Sequence, residues 1–267
     1  MTMPAPDFSR YTRIKFSRDG GVLTATLSNP GKKNAVDAAL HRELSELFAD
    51  IAADDDTRVA ILTGEGDAFC AGGDVTWMKE GASGGSGPSA DEGRAIVHTM
   101  LDLKKPLIAK VRGPAIGLGC TIALFCDCIF ASENARFADP HVRVGLAPGD
   151  GGAVIWPALL GPVRAKEYLM TGDVIDAGEA ARMGLINHCV PDSELDTAVA
   201  VFARRLADGP SQAIQAAKIS VNILLKEMVA KVFDASMALE MESFRTADHR
   251  EAVSAFLEKR APKFTGH

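Results

Sequence analysis

The spacing of apolar and polar positions divides the chain into an alternating first half and a helical second half. Residues 11–17 (YTRIKFS) and 22–28 (VLTATLS) are short β-rich runs, and the RDGG between them supplies the positive φ of a tight hairpin turn. From Asp37, a residue suited to cap a first helical turn, Leu40, Leu44, Leu47, Phe48 and Ile51 recur at helical spacing as far as ADDDT. RVAILT (58–63) and LIAKVR (107–112) are strands of the fully buried type. The first leads through GEGDAFCAGGD (64–74) into a short helix at Trp77 and Met78, and the second through GPAIGLG (113–119) into an apolar helix, CTIALFC, and a further strand, DCIFA. A helix is predicted over 90–103, preceded by GASGGSGPS (81–89), a flexible surface segment. Strand and helix alternation predicts a layered α/β core whose β-β-α units can stack as turns of a spiral. From residue 150 the patterns are nearly all helical, with breaks at LLGP, TGD, VPD and DGPS and helices near 193–208, 211–229, 231–247 and 249–258. The division expected is a core over 1–195 and a helical region over 196–267.

A chain of 267 residues with 47% hydrophobic residues has ample material for a large core. Its net charge of −6, without a long basic run, argues against a nucleic-acid partner. The opening MTMPAPDFSRYTRIKFSRDGG lacks the apolar stretch of a signal peptide, and nothing later approaches a membrane span, so a cytoplasmic protein with no membrane partner is expected. Five cysteines, an odd number, fit a reducing compartment, and Cys126 and Cys128 in ALFCDCIFA read as core thiols. His41, His98, His188 and His249 stand at no metal-ligand spacing and read as surface or packing residues, so no metal is expected.

Three literal motifs are set aside on physical grounds. Gly81–Gly85 matches G-x-S-x-G but lacks the strand-to-helix turn that would hold the serine up. GEGDAF has Phe69 where a dinucleotide fingerprint needs its third glycine, and GPAIGLG lacks the Lys-Ser/Thr pair of a phosphate loop. What remains is a shared design at 64–74 and 113–119: buried strand, glycine turn, helix start. Two such helix starts facing one another would aim two backbone N–H groups at a thioester or ester carbonyl as it gains charge, although the same glycines also serve simple tight turns. His141 and Asp150 stand nine residues apart in FADPHVRVGLAPGDGGAVIWP, a stretch with few other polar groups. They form an acid/base dyad if the loop folds back; alternatively Asp150 caps the next helix and His141 is a core residue, and the cap and dyad roles are compatible.

KKNAVD (32–37), GEGDAFCAGGDV (64–75), VRGPAIGLGCTIALFCDCIFASENARFADP (111–140), GLAPGDGG (145–152) and AKEYLMTGDVIDAGEAARMGLINHCV (165–190) together resemble the enoyl-CoA hydratase/isomerase, or crotonase, superfamily over nearly the whole chain. The resemblance implies an α/β crotonase-like spiral of stacked β-β-α turns with a C-terminal helical trimerisation region, hence a homotrimer or a dimer of trimers. It implies an acyl-CoA thioester substrate, with coenzyme A as part of the substrate and no separate cofactor. The oxyanion donors it implies are the N–H groups of Gly73 and Leu118, with Lys33, Asn34, Ala35, Ala71, Gly72 and Asp74 beside the nucleotide. Trp77 and Met78 would line the acyl pocket or pack in the core, and Phe256, Lys259 and Lys263 would reach a CoA. The two catalytic glutamates of family hydratases fall on Thr121, counted here among the substrate-facing positions, and on His141. A threonine is no general base near neutral pH, so His141 with Asp150 becomes the expected catalytic pair. That pair is similar to one in a β-diketone hydrolase branch of the superfamily. A hydratase or isomerase acting on acyl-CoA therefore stands first, hydrolysis of a C–C or thioester bond second, and a non-catalytic acyl-CoA binder third.

Overall fold

The computed structural model describes residues 6–82 and 87–267. The first five residues of the N-terminal stretch, and residues 83–86 of the Gly/Ser segment and its serine motif, lie outside the described residues. β1 (Ile14–Asp19) and β2 (Val22–Leu27) form the expected antiparallel hairpin, Asp19 opposite Val22, with Gly20 at φ 57° in the turn. In α1 (Ala38–Ala53) the Leu40 N–H donates to the Asp37 carboxylate at 2.9 Å, and Leu40, Leu44, Leu47, Phe48 and Ile51 are all fully buried. There follow β3 (Val59–Gly64), α2 (Val75–Ala82), α3 (Ala90–Asp102), β4 (Leu107–Val111), β5 (Pro114–Ile116), α4 (Leu118–Leu124), β6 (Cys128–Ser132) and β7 (Arg136–Ala138). The remainder comprises α5 (Gly152–Thr171), β8 (Ile175–Asp176), α6 (Ala177–Met183), β9 (His188–Val190), α7 (Leu195–Ala207), α8 (Ser211–Ser243) and α9 (Ala247–Leu257).

Among the described residues, one sheet runs β1-β2-β3-β4-β6-β9, parallel from β2 onward, and a second runs β5-β7-β8. β4 continues into β5 and β6 into β7, so successive turns of the chain visit both sheets in a spiral. The strands of the small sheet are two or three residues long, too short to declare a period in the sequence. One face of the large sheet packs into the main core with α1, α3, α4 and α5, which Val229, Phe233 and Met237 of α8 also enter. The other face carries Val22, Val59, Ile61, Ile108 and Phe130 against Leu195, Val199 and Ala203 of α7.

One helical expectation changes and another holds. The pair near 211–229 and 231–247 is one 33-residue helix, α8, because no glycine or proline interrupts it and apolar contacts continue on both sides of the supposed gap. The break expected at LLGP is present within α5, where Gly161 leaves helical geometry at φ 75° ahead of Pro162. Cys70, Cys120 and Cys126 are buried, and loss of water pushes the Cys70 thiol up to about 12. No helix among the described residues is long and apolar enough to cross a membrane.

Candidate active site

Hydrogen bonds stitch the two glycine turns together. The Cys70 N–H donates to the Pro114 carbonyl and the Ile116 N–H to the Cys70 carbonyl, each at 2.9 Å, and the Gly117 N–H donates to Ala138 at 2.9 Å. Gly72, at φ 86°, lies so close that an added Cβ would be 3.0 Å from the Ile116 carbonyl oxygen. Gly73 and Leu118 line the same cavity, of about 450 Å³, and no backbone partner takes the N–H of either among the described residues. Leu118 opens α4, where the first amide hydrogens have no partner within the helix. The two turns that looked alike in sequence therefore meet at one cavity, which a residue of each lines.

His141 starts a short 3-10 turn, His141–Val144, just past β7. Its Nδ1 bonds the carboxylate of Asp139, a residue with no exposure, and so its Nε2 edge is the free one. Nε2 stands 3.6 Å from Oδ2 of Asp150 and 3.8 Å from Oε1 of Glu240, and His141, Asp150 and Glu240 all line the cavity. The Cβ position of Gly117 is 3.9 Å from Cε1 of His141, which brings the imidazole to the glycine turns. Asp150 reaches this point from just ahead of α5, where its Oδ1 accepts the Gly152 N–H at 3.3 Å; the N-cap position is Gly151, without a side-chain capping bond, so Asp150 approaches His141 without being the cap expected of it. Gly149 makes room for α8, since a Cβ there would lie 2.5 Å from the Ser236 carbonyl oxygen and 2.6 Å from Glu240 Cβ.

Three carboxylates around one imidazole settle the local charge. Burial disfavours the imidazolium, but Asp139, Asp150 and Glu240 outweigh it and hold His141 well above its ordinary value. Burial raises the Asp150 carboxyl, with Asp139 adding repulsion and His141 opposing. Burial and the same neighbours push Glu240 up to about 8, against the pull of His141. One oxygen each of Asp139, Asp150 and Glu240 is buried without a hydrogen-bond partner among the described residues. Asp139, His141 and Asp150 offer donor atoms within 4.8 Å of one another, close enough for a cation. Asp139 and His141 already bond each other through Nδ1, however, and a Cβ on Gly152 would lie 2.1 Å from the other Asp139 oxygen.

The remaining sequence candidates divide. Ala71 and Gly72 line the cavity. Lys33 and Asn34 lie in the left-handed region at φ 49° and 56°, forming the turn that ends at Ala35. Asn34 is buried, its amide donating to the Glu65 and Ala68 carbonyls at 2.9 and 2.8 Å, so its side chain is committed to the fold. Asp74 is buried against Lys32 and accepts the Thr76 N–H at 2.8 Å at the start of α2. Thr121 has no exposure and donates to Asp150 Oδ1 at 3.1 Å. Trp77, Met78 and Phe256 line the cavity. His249 packs with no exposure, Nδ1 on the Val144 carbonyl at 2.7 Å, as a packing residue should. His41 is also a packing residue, buried in the cavity wall with Nδ1 2.5 Å from Glu92 and its ring beside Trp77. Asp139 and Glu240 were missed altogether. Asp139 offered a weak signal, a lone acid two residues before His141, whereas Glu240 offered none.

The family model described as enoyl-CoA hydratase/isomerase matches residues 17–267. The chain is 32% identical over 259 residues to a crotonyl-CoA hydratase from Syntrophomonas wolfei, covering 95% of this chain and 98% of that one. It is similar to the crystal structure of an enoyl-CoA hydratase/isomerase from Mycobacterium paratuberculosis, with a TM-score of 0.85, 36% identity and coverage of 91% and 98%. It is also similar to a β-diketone hydrolase from the cyanobacterium Anabaena bound to (S)-3-oxocyclohexyl acetic acid, with a TM-score of 0.80, 31% identity and coverage of 91% and 98%.

Proposed function

The chain belongs to the enoyl-CoA hydratase/isomerase family and is an enzyme of it, and on that premise we propose that His141 is the acid/base of an acyl-CoA hydratase or isomerase. The observation that carries the proposal is the free Nε2 edge of His141, flanked by Asp150 at 3.6 Å and Glu240 at 3.8 Å in the cavity that Gly73 and Leu118 also line. The thioester carbonyl oxygen of an enoyl-CoA accepts from the N–H groups of Gly73 and Leu118, which are fixed before any charge develops. His141 moves the proton at the carbon next to that carbonyl or on the water added beyond it, and Asp139 keeps Nδ1 occupied so that Nε2 faces the substrate. Asp150 stabilises the imidazolium, and Glu240, its carboxyl pushed up to about 8, is a second proton donor. The CoA nucleotide lies beside the Lys33–Ala35 turn, Ala71, Gly72 and Asp74, and no separate cofactor takes part. The assembly is a trimer or a pair of trimers.

Hydrolysis of a β-diketone C–C bond or of a thioester is the second reading. It is favoured by the burial of Thr121, which leaves His141, Asp150 and Glu240 as the polar groups for activating water, and by the similarity to a β-diketone hydrolase.

The test is product identification by mass after incubation with 2-enoyl-CoA, 3-enoyl-CoA and CoA-free β-diketones, alongside His141→Ala and Asp150→Asn. Hydration or double-bond migration on CoA substrates is expected, with His141→Ala lowering kcat on the order of 10²–10⁴-fold. Turnover surviving both substitutions unchanged would sink the acid/base assignment. Cleavage of a free diketone would replace the first reading by the second.

A further inference from the structure

We propose that Thr121 is a positioning residue that acts through Asp150: its hydroxyl pins one carboxylate oxygen so that the other faces His141. This role rests on the assignment of His141 and Asp150 as the acid/base pair. Thr121 lies in the first turn of α4 with no exposure, so it has no surface to offer a substrate. Its Oγ1 donates to Oδ1 of Asp150 at 3.1 Å, and the Gly152 N–H donates to that same oxygen at 3.3 Å. Oδ2 is buried, has no hydrogen-bond partner among the described residues and stands 3.6 Å from Nε2 of His141. The two oxygens of a carboxylate are chemically alike, and only their surroundings make them different. Here both donors fall on Oδ1, which fixes the rotation of the group and turns the unengaged oxygen toward the imidazole.

The hydroxyl also opposes the local charge. Asp150 is faced by Asp139 and His141 from the segment after β7, by Glu240 from α8 and by Thr121 from α4. Burial and Asp139 favour a neutral Asp150, whereas His141 and the hydrogen bonds from Gly152 and Thr121 favour the ionised form that can support an imidazolium. The methyl group has a separate task. Cγ2 of Thr121 is 3.0 Å from where a Cβ on Gly151 would sit, so the turn that delivers Asp150 packs directly against it. Substitution can therefore separate the two halves of the side chain.

Thr121→Val keeps the shape and the methyl but removes the hydroxyl, and Thr121→Ser does the reverse. In the full chain, with the substrate identified by the panel above, Thr121→Val is expected to lower kcat about tenfold, the scale of one lost hydrogen bond to a charged group. KM should stay near its original value, and the acid limb of the kcat profile should move to higher pH as Asp150 becomes harder to ionise. Thr121→Ser should keep kcat and the pH profile, even if it melts at lower temperature. On an Asp150→Asn background, Thr121→Val should cost nothing further in kcat. Unchanged kcat and pH profile in Thr121→Val, beside an impaired Asp150→Asn, overturns the positioning role alone. So does an equal loss in Thr121→Ser, or a loss that persists undiminished on the Asp150→Asn background. Full activity of Asp150→Asn overturns the acid/base assignment and this role with it.

Discussion

At His141 the protein gathers more negative charge than one imidazole can neutralise, and it answers with protons. Glu240 illustrates the consequence, because its carboxyl releases its proton only at about pH 8 instead of the ordinary 4.5. Between those values the folded chain holds a proton that the unfolded chain has released, so Glu240 makes stability fall as pH rises through that window. Glu240→Gln removes this dependence. Thermal melts between pH 6 and 9 should show a flatter decline for the variant and a higher Tm than the original protein at pH 9, while kcat falls on the order of 10²-fold. A variant that melts in parallel with the original across the range would mean that Glu240 does not titrate there. His141 and Asp150 were legible because both stand in one glycine- and proline-rich stretch with few competing polar groups. Glu240 was not, since it comes ninety residues after Asp150 in MALEMES, where a buried glutamate and a solvated one read alike. The partners of His41 were hidden for the same reason: a histidine next to Leu40 on an amphipathic helix gives no local sign that Glu92 and Trp77 will enclose it.

Elements act here mainly through their ends. The start of α4 supplies the Leu118 N–H and Thr121, the start of α5 brings Asp150, and the 3-10 turn after β7 brings His141. Gly151 joins two of these ends at φ 122°, and an added Cβ would meet Phe125 at 2.8 Å, Thr121 at 3.0 Å and Val97 at 3.2 Å. Gly151→Ala should therefore cost about 1–3 kcal/mol in backbone strain, with crowding added. It should also lower kcat by displacing Asp150. A urea melt with an unchanged midpoint would contradict the strain, and unchanged kcat would contradict the link to Asp150. The glycine turns, the hairpin and the Asp37 cap were legible because each is a local backbone requirement that particular residues meet. The small β5-β7-β8 sheet and the unbroken α8 were not, because strands of two or three residues and a missing helix break are decided by neighbours in space.

Over the whole molecule, apolar surface remains that the described chain does not cover. Val221 and Leu224 on α8 and Val163 and Met170 on α5 are between 62% and 80% exposed, more than isolated surface residues require. These side chains support the proposed trimeric assembly. Light scattering after gel filtration should give three or six times the mass of one chain, and Leu224→Glu should shift the population to smaller species. A single-chain mass for the unaltered protein would end the proposal.

By itself the sequence determined everything that depends on near neighbours along the chain: helical and strand periods, turns, caps, and the two glycine loops of matching design. Its ordered motifs also identified the family and pointed to His141 and Asp150. The tertiary structure alone decided which buried acids surround that histidine. Asp139 orients it, Glu240 arrives from a distant helix, and Thr121 turns inward to Asp150. The physical reason is that the charge state and direction of a buried polar group depend on whatever surrounds it in space, and in this chain those partners come from α4, α5, α8 and the end of β7.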